Sequence, residues 1–113
     1  MGVSEAGGQS REDRSRELLR QVWLRNRPTT MERLAVVGSA LEALAAGDLD
    51  AARRAAALGE AHKLRGILGT YGFAEGSELA GEAEDLLDAA GAGAGARELS
   101  VRLAEYARSL PQA

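Results

Sequence analysis

The chain of 113 residues suits a single domain, and 45% of it is hydrophobic. It contains no cysteine, which excludes disulfides, thiol chemistry and cysteine-ligated zinc. The 14 basic and 17 acidic residues give a net charge of −3, which argues against nucleic acid as the main partner, because nucleic-acid-binding domains usually carry a basic excess. No apolar run approaches the ~18 residues that a membrane helix needs. We therefore expect no membrane partner and a cytoplasmic location.

The first part of the chain is predicted to hold a leader and one helix. Residues 1–10 form the expected disordered leader, and residues 11–27 the N-terminal helix, in which apolar side chains recur at helical spacing. Pro28 is expected to end that helix, because proline lacks the backbone N–H and clashes with the preceding turn.

Residues 28–113 are predicted to form a bundle of four more helices, at about 30–46, 49–71, 74–90 and 96–110. Gly47 ends the first of these, Asp48 caps the second, and Gly72 provides a left-handed position at its end. Short connections make consecutive helices antiparallel. The predicted fold class is therefore all-α, an up-down-up-down four-helix bundle with an additional N-terminal helix.

Charge is distributed unevenly along the chain. Residues 11–33 hold seven Arg against four acidic residues, whereas residues 75–105 hold eight acidic residues against two Arg. We interpret the two segments as neighbouring helices with complementary surfaces. The alternative is that residues 11–33 form a basic docking site.

His62 is the only histidine, and it lies away from the apolar stripe of its helix. On a wheel of ~100° per residue, Gly59, Gly66 and Gly69 fall within about 60° of it, and Arg65 flanks the same face. The apolar residues fall on the other side: Ala57, Ala61, Leu64, Leu68 and Tyr71. Each glycine inside a helix costs ~0.8–1 kcal/mol relative to alanine. Three glycines around one histidine, at this cost in helix stability, therefore indicate an imidazole that another macromolecule must reach.

A neutral imidazole is a nucleophile that can carry a phosphoryl group. Phosphoryl transfer requires positioning and positive charge more than covalent chemistry from the protein. Arg65 can supply that charge, because side chains at i and i+3 of a helix start ~5–6 Å apart. Lys63 points off the His62 face and is a supporting charge at most.

Other interpretations of this region are weaker. A lone histidine on a helix usually has no chemical role, but the three glycines on its face favour a function. No metal site is expected, because the chain offers one His, no Cys and no acidic residue four positions after His62. Ser77 has no paired base and no nucleophile elbow, so a hydrolase triad is unsupported. A coiled-coil module is disfavoured, since the glycines would weaken its seam.

The segment Ala61-His62-Lys63-Leu64-Arg65-Gly66, followed by Gly69 and Gly72, resembles the signature of histidine-containing phosphotransfer (HPt) domains. The likeness covers about residues 30–110. It departs from the family pattern at Ile67 and Leu68, where small residues are usual. We interpret Leu68 as pointing to the core and Ile67 to its flank, which leaves the His62 face intact.

The resemblance implies an α-helical bundle in a two-component phosphorelay. His62 would accept a phosphoryl group from a receiver-domain aspartate or a kinase and pass it to another receiver aspartate. Arg65, with Lys63 as a supporting charge, would stabilise the phosphohistidine, and Gly66 would permit approach. The chain would be a carrier with no cofactor, no ATP-binding kinase domain and no independent catalysis, and the partner receiver would supply Mg²⁺.

Three apolar residues off the inward stripes are expected to form a rim that grips a receiver helix: Leu58, Val36 and Ala40. Each would otherwise be a scattered surface hydrophobe. The protein is expected to be a monomer. The alternative function is a non-catalytic helical adaptor that binds receiver or kinase domains without being phosphorylated.

Overall fold

Four helices make up the computed structural model, which describes residues 3–89 and 93–112, with side chains from Ser10 onward. They are α1 (Val3–Ala45), α2 (Ala51–Thr70), α3 (Ala74–Asp88) and α4 (Ala96–Ser109), and no strand occurs among these residues. The molecule measures 65 × 21 × 20 Å, because the 43 residues of α1 outreach the 20 of α2. Within the described part, no helix combines the length and apolar character of a membrane span.

In each pair of neighbouring helices, contacting residues rise in number along one helix as they fall along the other. The contacts are Arg33–Glu60 and Ser39–Arg53 between α1 and α2, Arg65–Ser77 and Arg54–Ala89 between α2 and α3, Gly76–Tyr106 and Glu82–Arg102 between α3 and α4, and Trp23–Pro111 and Gly38–Ser100 between α1 and the last part of the chain. Consecutive helices therefore run antiparallel, and α4 returns beside α1.

Leucine and alanine build the core. The largest fully buried side chains are Val37, Leu41, Leu64, Leu68, Leu87 and Leu103, which come from all four helices. Small buried residues stand between them, among them Ala57, Ala61, Ala80 and Ala83. These alanines let α2 and α3 approach closely, since the distance between packed helices depends on the side chains at the contact.

The expected break at Pro28 is wrong, because Pro28 lies inside α1. The predicted helices 11–27 and 30–46 are one helix, and its backbone is already helical from Val3, within the expected leader. An interior proline costs about 3 kcal/mol, so contacts on both sides of it must offset that cost. Just before Pro28, Trp23 is 2% exposed and packs edge-on against Tyr71 and Phe73, with ring centroids 5.2 and 5.0 Å away.

Glycines end α1 and α2 where expected, but the residue that caps the start of α2 is two positions later than predicted. Gly72 has the predicted left-handed φ, 79°, at the end of α2, and Gly47, which was expected to end α1, also has a left-handed φ of 74°. Asp50, and not Asp48, caps α2 by accepting a hydrogen bond of 2.7 Å from the Arg53 N–H. The amide of Asp48 instead bonds the Ala43 carbonyl and closes the end of α1. The predicted end of the next helix at Ala90 lies outside the described residues.

The expected pairing of the basic segment 11–33 with the acidic segment 75–105 does not form among the described residues. Arg16 and Arg20 pair with acidic residues of α1 itself, and Arg33 pairs with Glu60 of α2. The reason is position: α3 lies between α2 and α4, diagonal to α1, and the residues of α1 before Trp23 extend past the bundle.

Gly76 of α3 lies directly against the side chain of Tyr106 on α4. A Cβ added there would lie 2.5 Å from Cε2 and 2.7 Å from the hydroxyl of Tyr106. We expect Gly76→Ala to lower the free energy of unfolding by about 1–3 kcal/mol despite the better helix propensity of alanine. Urea denaturation measures this. Gly66→Ala, where a Cβ would meet nothing within 4 Å, should be more stable than the wild type; equal responses of the two variants would contradict the packing argument.

Candidate functional site

His62 lies in the middle of α2 with its side chain 74% exposed. The residues that share its helix but face the core, Ala61, Leu64 and Leu68, are 0% exposed. The structure therefore places the imidazole outward, on the face opposite the apolar stripe. Both helical periodicity and packing agree on this orientation.

Two of the three glycines near His62 face open space. Apart from the adjacent residues and the backbone of its own helix, a Cβ at Gly59 or at Gly66 would have no atom within 4 Å. Gly69 differs, because a Cβ there would lie 3.5 Å from the Oγ of Ser77, so this glycine borders α3. The approach to the imidazole is thus kept clear by Gly59 and Gly66.

Glu84 on α3 contacts the imidazole and was not assigned to the site from the sequence. Its Oε2 lies 2.8 Å from His62 Nδ1, and its Oε1 lies 3.3 Å from Arg65 Nη1. The Glu84 side chain is 22% exposed, far less than the two cations it joins. The sequence does contain a signal that could have identified Glu84. His62 lies eleven residues before Phe73 and Glu84 lies eleven residues after it, so two antiparallel helices joined by a turn at Phe73 bring the two side chains opposite each other.

The pairing with Glu84 sets the tautomer of His62. An ionised carboxylate only accepts hydrogen bonds, so Nδ1 must donate and carries the proton. In the neutral imidazole the lone pair is then on Nε2, the nitrogen that does not face Glu84. The arrangement leaves a nucleophilic nitrogen available to an incoming molecule.

The hydrogen bond from His62 has the largest effect on the pKa of Glu84 and lowers it; burial opposes this, and the weaker effect of the hydrogen bond from Arg65 lowers the pKa further. A carboxylate with a lowered folded-state pKa stabilises the fold above its unfolded-state pKa, and this contribution is lost as the pH falls through the folded-state value. We expect His62→Ala to raise the Glu84 pKa more than Arg65→Ala does. Carbon-13 NMR titration of the Glu84 carboxyl measures both. Identical titration midpoints in the wild type and His62→Ala would disprove the pairing in solution.

The two cations near His62 in the sequence take different directions. Arg65 is 60% exposed, lies beside Gly81 of α3 and joins Glu84. The Lys63 ammonium lies 3.7 Å from Glu60 Oε1, and Glu60 also pairs with Arg33 of α1. The structure therefore brings Arg65 to the site and directs Lys63 toward α1.

Of the three residues predicted to dock a partner, only Leu58 borders the His62 face. It precedes His62 by one turn and is partly buried against the core. Val36 is 47% exposed, but it lies on α1, which contacts the other flank of α2. The two residues therefore do not form one rim around His62.

The assignment of Ala40 to the docking surface is wrong, because Ala40 is 1% exposed and belongs to the core. Helix α1 packs against both α2 and α4, so its buried face is wide enough to include Ala40 as well as Val37 and Leu44. Leu68 is buried, as expected. Ile67 lines a groove of about 340 Å³ between α1 and α2, away from the imidazole.

A family model for the Hpt domain matches residues 21–113. The match covers most of the chain, which therefore belongs to the Hpt domain family, as its resemblance indicated. Hpt domains act in phosphotransfer within two-component phosphorelays, where they interact with receiver domains and kinases. A comparison with curated proteins and one with solved structures each find no significant match. No group of three or more potential metal-ligating side chains occurs in the described ranges.

Proposed function

We propose that His62 is the phosphoacceptor of a two-component phosphorelay. It accepts a phosphoryl group from a receiver-domain aspartate or a kinase and passes it to another receiver aspartate. The observation that carries the proposal is the exposed imidazole whose Nδ1 is held by Glu84, so that Nε2 is the available nucleophile. Membership of the Hpt domain family supports the same reaction class.

The proposed transfer is one displacement at phosphorus. The Nε2 lone pair attacks the aspartyl phosphate, the N–P bond forms as the P–O bond to the aspartate breaks, and the aspartate leaves as a carboxylate. No proton needs to leave Nε2, and Nδ1 keeps its own. The phosphorylated ring is then cationic, and the Glu84 carboxylate 2.8 Å from Nδ1 balances that charge. Transfer to the second receiver reverses these steps.

Arg65 is proposed to stabilise the phosphoryl group. Its guanidinium is 60% exposed and held by one contact of 3.3 Å, so it can turn from Glu84 to the phosphoryl oxygens. Charge-assisted hydrogen bonds to phosphate are among the stronger interactions available there. Lys63 is a secondary charge in this proposal, because it is engaged by Glu60.

The receiver is proposed to dock over the face formed by Leu58, Gly59, His62 and Gly66, and to bring the Mg²⁺ that the transfer needs. The carrier would act in the cytoplasm as a monomeric up-down-up-down bundle, with the first part of α1 as its additional helical segment. The antiparallel packing of consecutive helices supports the up-down-up-down arrangement.

The deciding experiment is a transfer assay. Receiver domains charged with ³²P-acetyl phosphate and Mg²⁺ are mixed with the protein, and the label on the protein is tested for stability. Phosphohistidine is labile in acid and stable in alkali, so we expect label with that profile. Binding of a receiver without any label would identify a non-catalytic adaptor instead.

A further inference from the structure

The part of α1 before Trp23 extends beyond the bundle without covering any other helix. Every described side chain from Ser10 to Val22 is exposed, and burial begins at Trp23. At 1.5 Å per residue these 13 residues project ~20 Å. The match to the Hpt domain begins only at residue 21, so most of this segment, residues 10–22, lies outside the family's shared unit. We call it the α1 arm.

The α1 arm carries an apolar stripe on one face. Leu18, Leu19 and Val22 are 61%, 43% and 38% exposed, and they are three of the five large hydrophobic residues exposed in the described part of the chain. Leu18 and Val22 are one turn apart, and Leu19 lies beside them, so the three form one patch. Grouped apolar exposure of this kind marks an interaction surface more often than scattered residues do.

The charge around the stripe is basic. Between residues 10 and 27 there are six Arg and three acidic residues, and those acids are engaged by Arg16 and Arg20. Arg14 lies one turn before Leu18, and Arg25 lies one turn after Val22 on the same side. Arg14 donates only to the Ser10 carbonyl, and neither guanidinium has a carboxylate within 4 Å among the described side chains. The stripe is therefore bordered by positive charge at both ends.

We propose that the α1 arm is a docking site for an amphipathic helix of a partner protein, with acidic residues flanking an apolar face. The apolar face of the partner would cover Leu18, Leu19 and Val22, and its acids would meet Arg14 and Arg25. Complementary charge of this kind steers encounter and selects the partner. This site would be a second contact surface of the protein, on a different helix from the His62 face.

Two other occupants fit the arm less well. A second copy laid antiparallel would bring the edge that carries Arg14 and Arg25 against the same edge of its partner, which repels. A membrane surface requires a broad apolar face with aromatic anchors. Here the stripe is three residues wide, acids are interspersed around the helix, and the only tryptophan, Trp23, is buried in the bundle.

The test uses a fluorescein-labelled peptide of three heptads with Leu at a and d and Glu at e and g, titrated with the full chain and followed by anisotropy. We expect binding that weakens with salt and that drops at least tenfold in the double variant Leu18→Glu, Val22→Glu. The matched control is Val101→Glu, a change at a valine on α4 whose exposure (52%) lies between those of Val22 and Leu18, and this variant should bind the peptide as the wild type does. A peptide with Lys in place of Glu should bind poorly to the wild type and better to Arg14→Glu, Arg25→Glu.

Several results would overturn the proposal. These are no binding of the Glu peptide, equal binding by the double variant, a wild-type dimer in sedimentation that the double variant abolishes, or capture by anionic vesicles in preference to the peptide. Phosphoryl transfer to the double variant from a charged receiver should equal that of the wild type. The transfer assay therefore tests only the role of His62, and the peptide titration tests only the role of the α1 arm, so either proposal can be wrong without affecting the other.

Discussion

Replacing His62 by glutamine is expected to remove phosphoryl acceptance completely while the bundle stays folded. Glutamine has no nucleophilic nitrogen, but its amide can still donate to Glu84, so the contact between α2 and α3 is kept. The side chain is 74% exposed, and exposed substitutions usually change stability by no more than about 0.5 kcal/mol. The label transferred from a charged receiver should fall by about 1000-fold or more, to the background of the assay.

Lys63→Gln is the matched control for that experiment. It changes the neighbouring residue to the same amide, and it removes a cation that the structure directs to Glu60 rather than to the imidazole. We expect Lys63→Gln to keep most of the transfer rate and thermal unfolding of both variants to match the wild type within a few degrees. If the His62→Gln variant still takes up acid-labile label, the phosphoacceptor is another residue.

Gly66→Leu is expected to change stability and transfer in opposite directions. A Cβ at this position meets nothing within 4 Å and the position is exposed, so leucine should raise the free energy of unfolding by close to 1 kcal/mol through helix propensity. The same side chain would stand one turn from His62, where the receiver has to approach. Extra methylenes in a packed core cost about 1–3 kcal/mol, and a similar cost at the docked receiver would slow transfer by roughly 5- to 150-fold.

Gly38→Ala separates the two effects. Gly38 lies inside α1, and a Cβ there would be 3.8 Å from Ser100 Oγ, an ordinary contact on the side of α4. This variant should gain stability in the same thermal melt and transfer phosphate at the wild-type rate. A Gly66→Leu variant that is more stable and transfers normally would show that the receiver does not cover this face.

The division of α2 into a core face and a histidine face could be predicted from the sequence because it depends only on helical periodicity. Leu64 and Leu68 on one side and His62 with Gly59 on the other require no knowledge of neighbouring helices. The same holds for Gly47 and Gly72, whose left-handed φ values end the two helices. Features that depend only on nearby residues can therefore be predicted from the sequence.

Features that depend on other helices were not predictable in this way. Pro28 disfavours a helix locally, but the burial of Trp23 against the α2–α3 turn outweighs that preference. Ala40 lies off a narrow apolar stripe, yet it is buried because α1 is flanked by two helices rather than one. Glu84 reaches His62 only through the register of α3 against α2, which periodicity within a single helix does not contain.

The carbonyl of Pro111 accepts hydrogen bonds from both the Trp23 indole, at 2.9 Å, and the Arg27 guanidinium, at 3.0 Å. These two hydrogen bonds hold α1 to the backbone at Pro111 close to Pro28, where α1 lacks one of its own backbone hydrogen bonds because proline has no N–H. Losing these two hydrogen bonds would leave the part of α1 before Pro28 held to the bundle mainly through the packing of Trp23 on Tyr71 and Phe73, while the contact between His62 and Glu84 would not be affected. The backbone that follows α4 thus helps to fix the orientation of α1 on both sides of Trp23, although the two segments are more than 80 residues apart in the sequence.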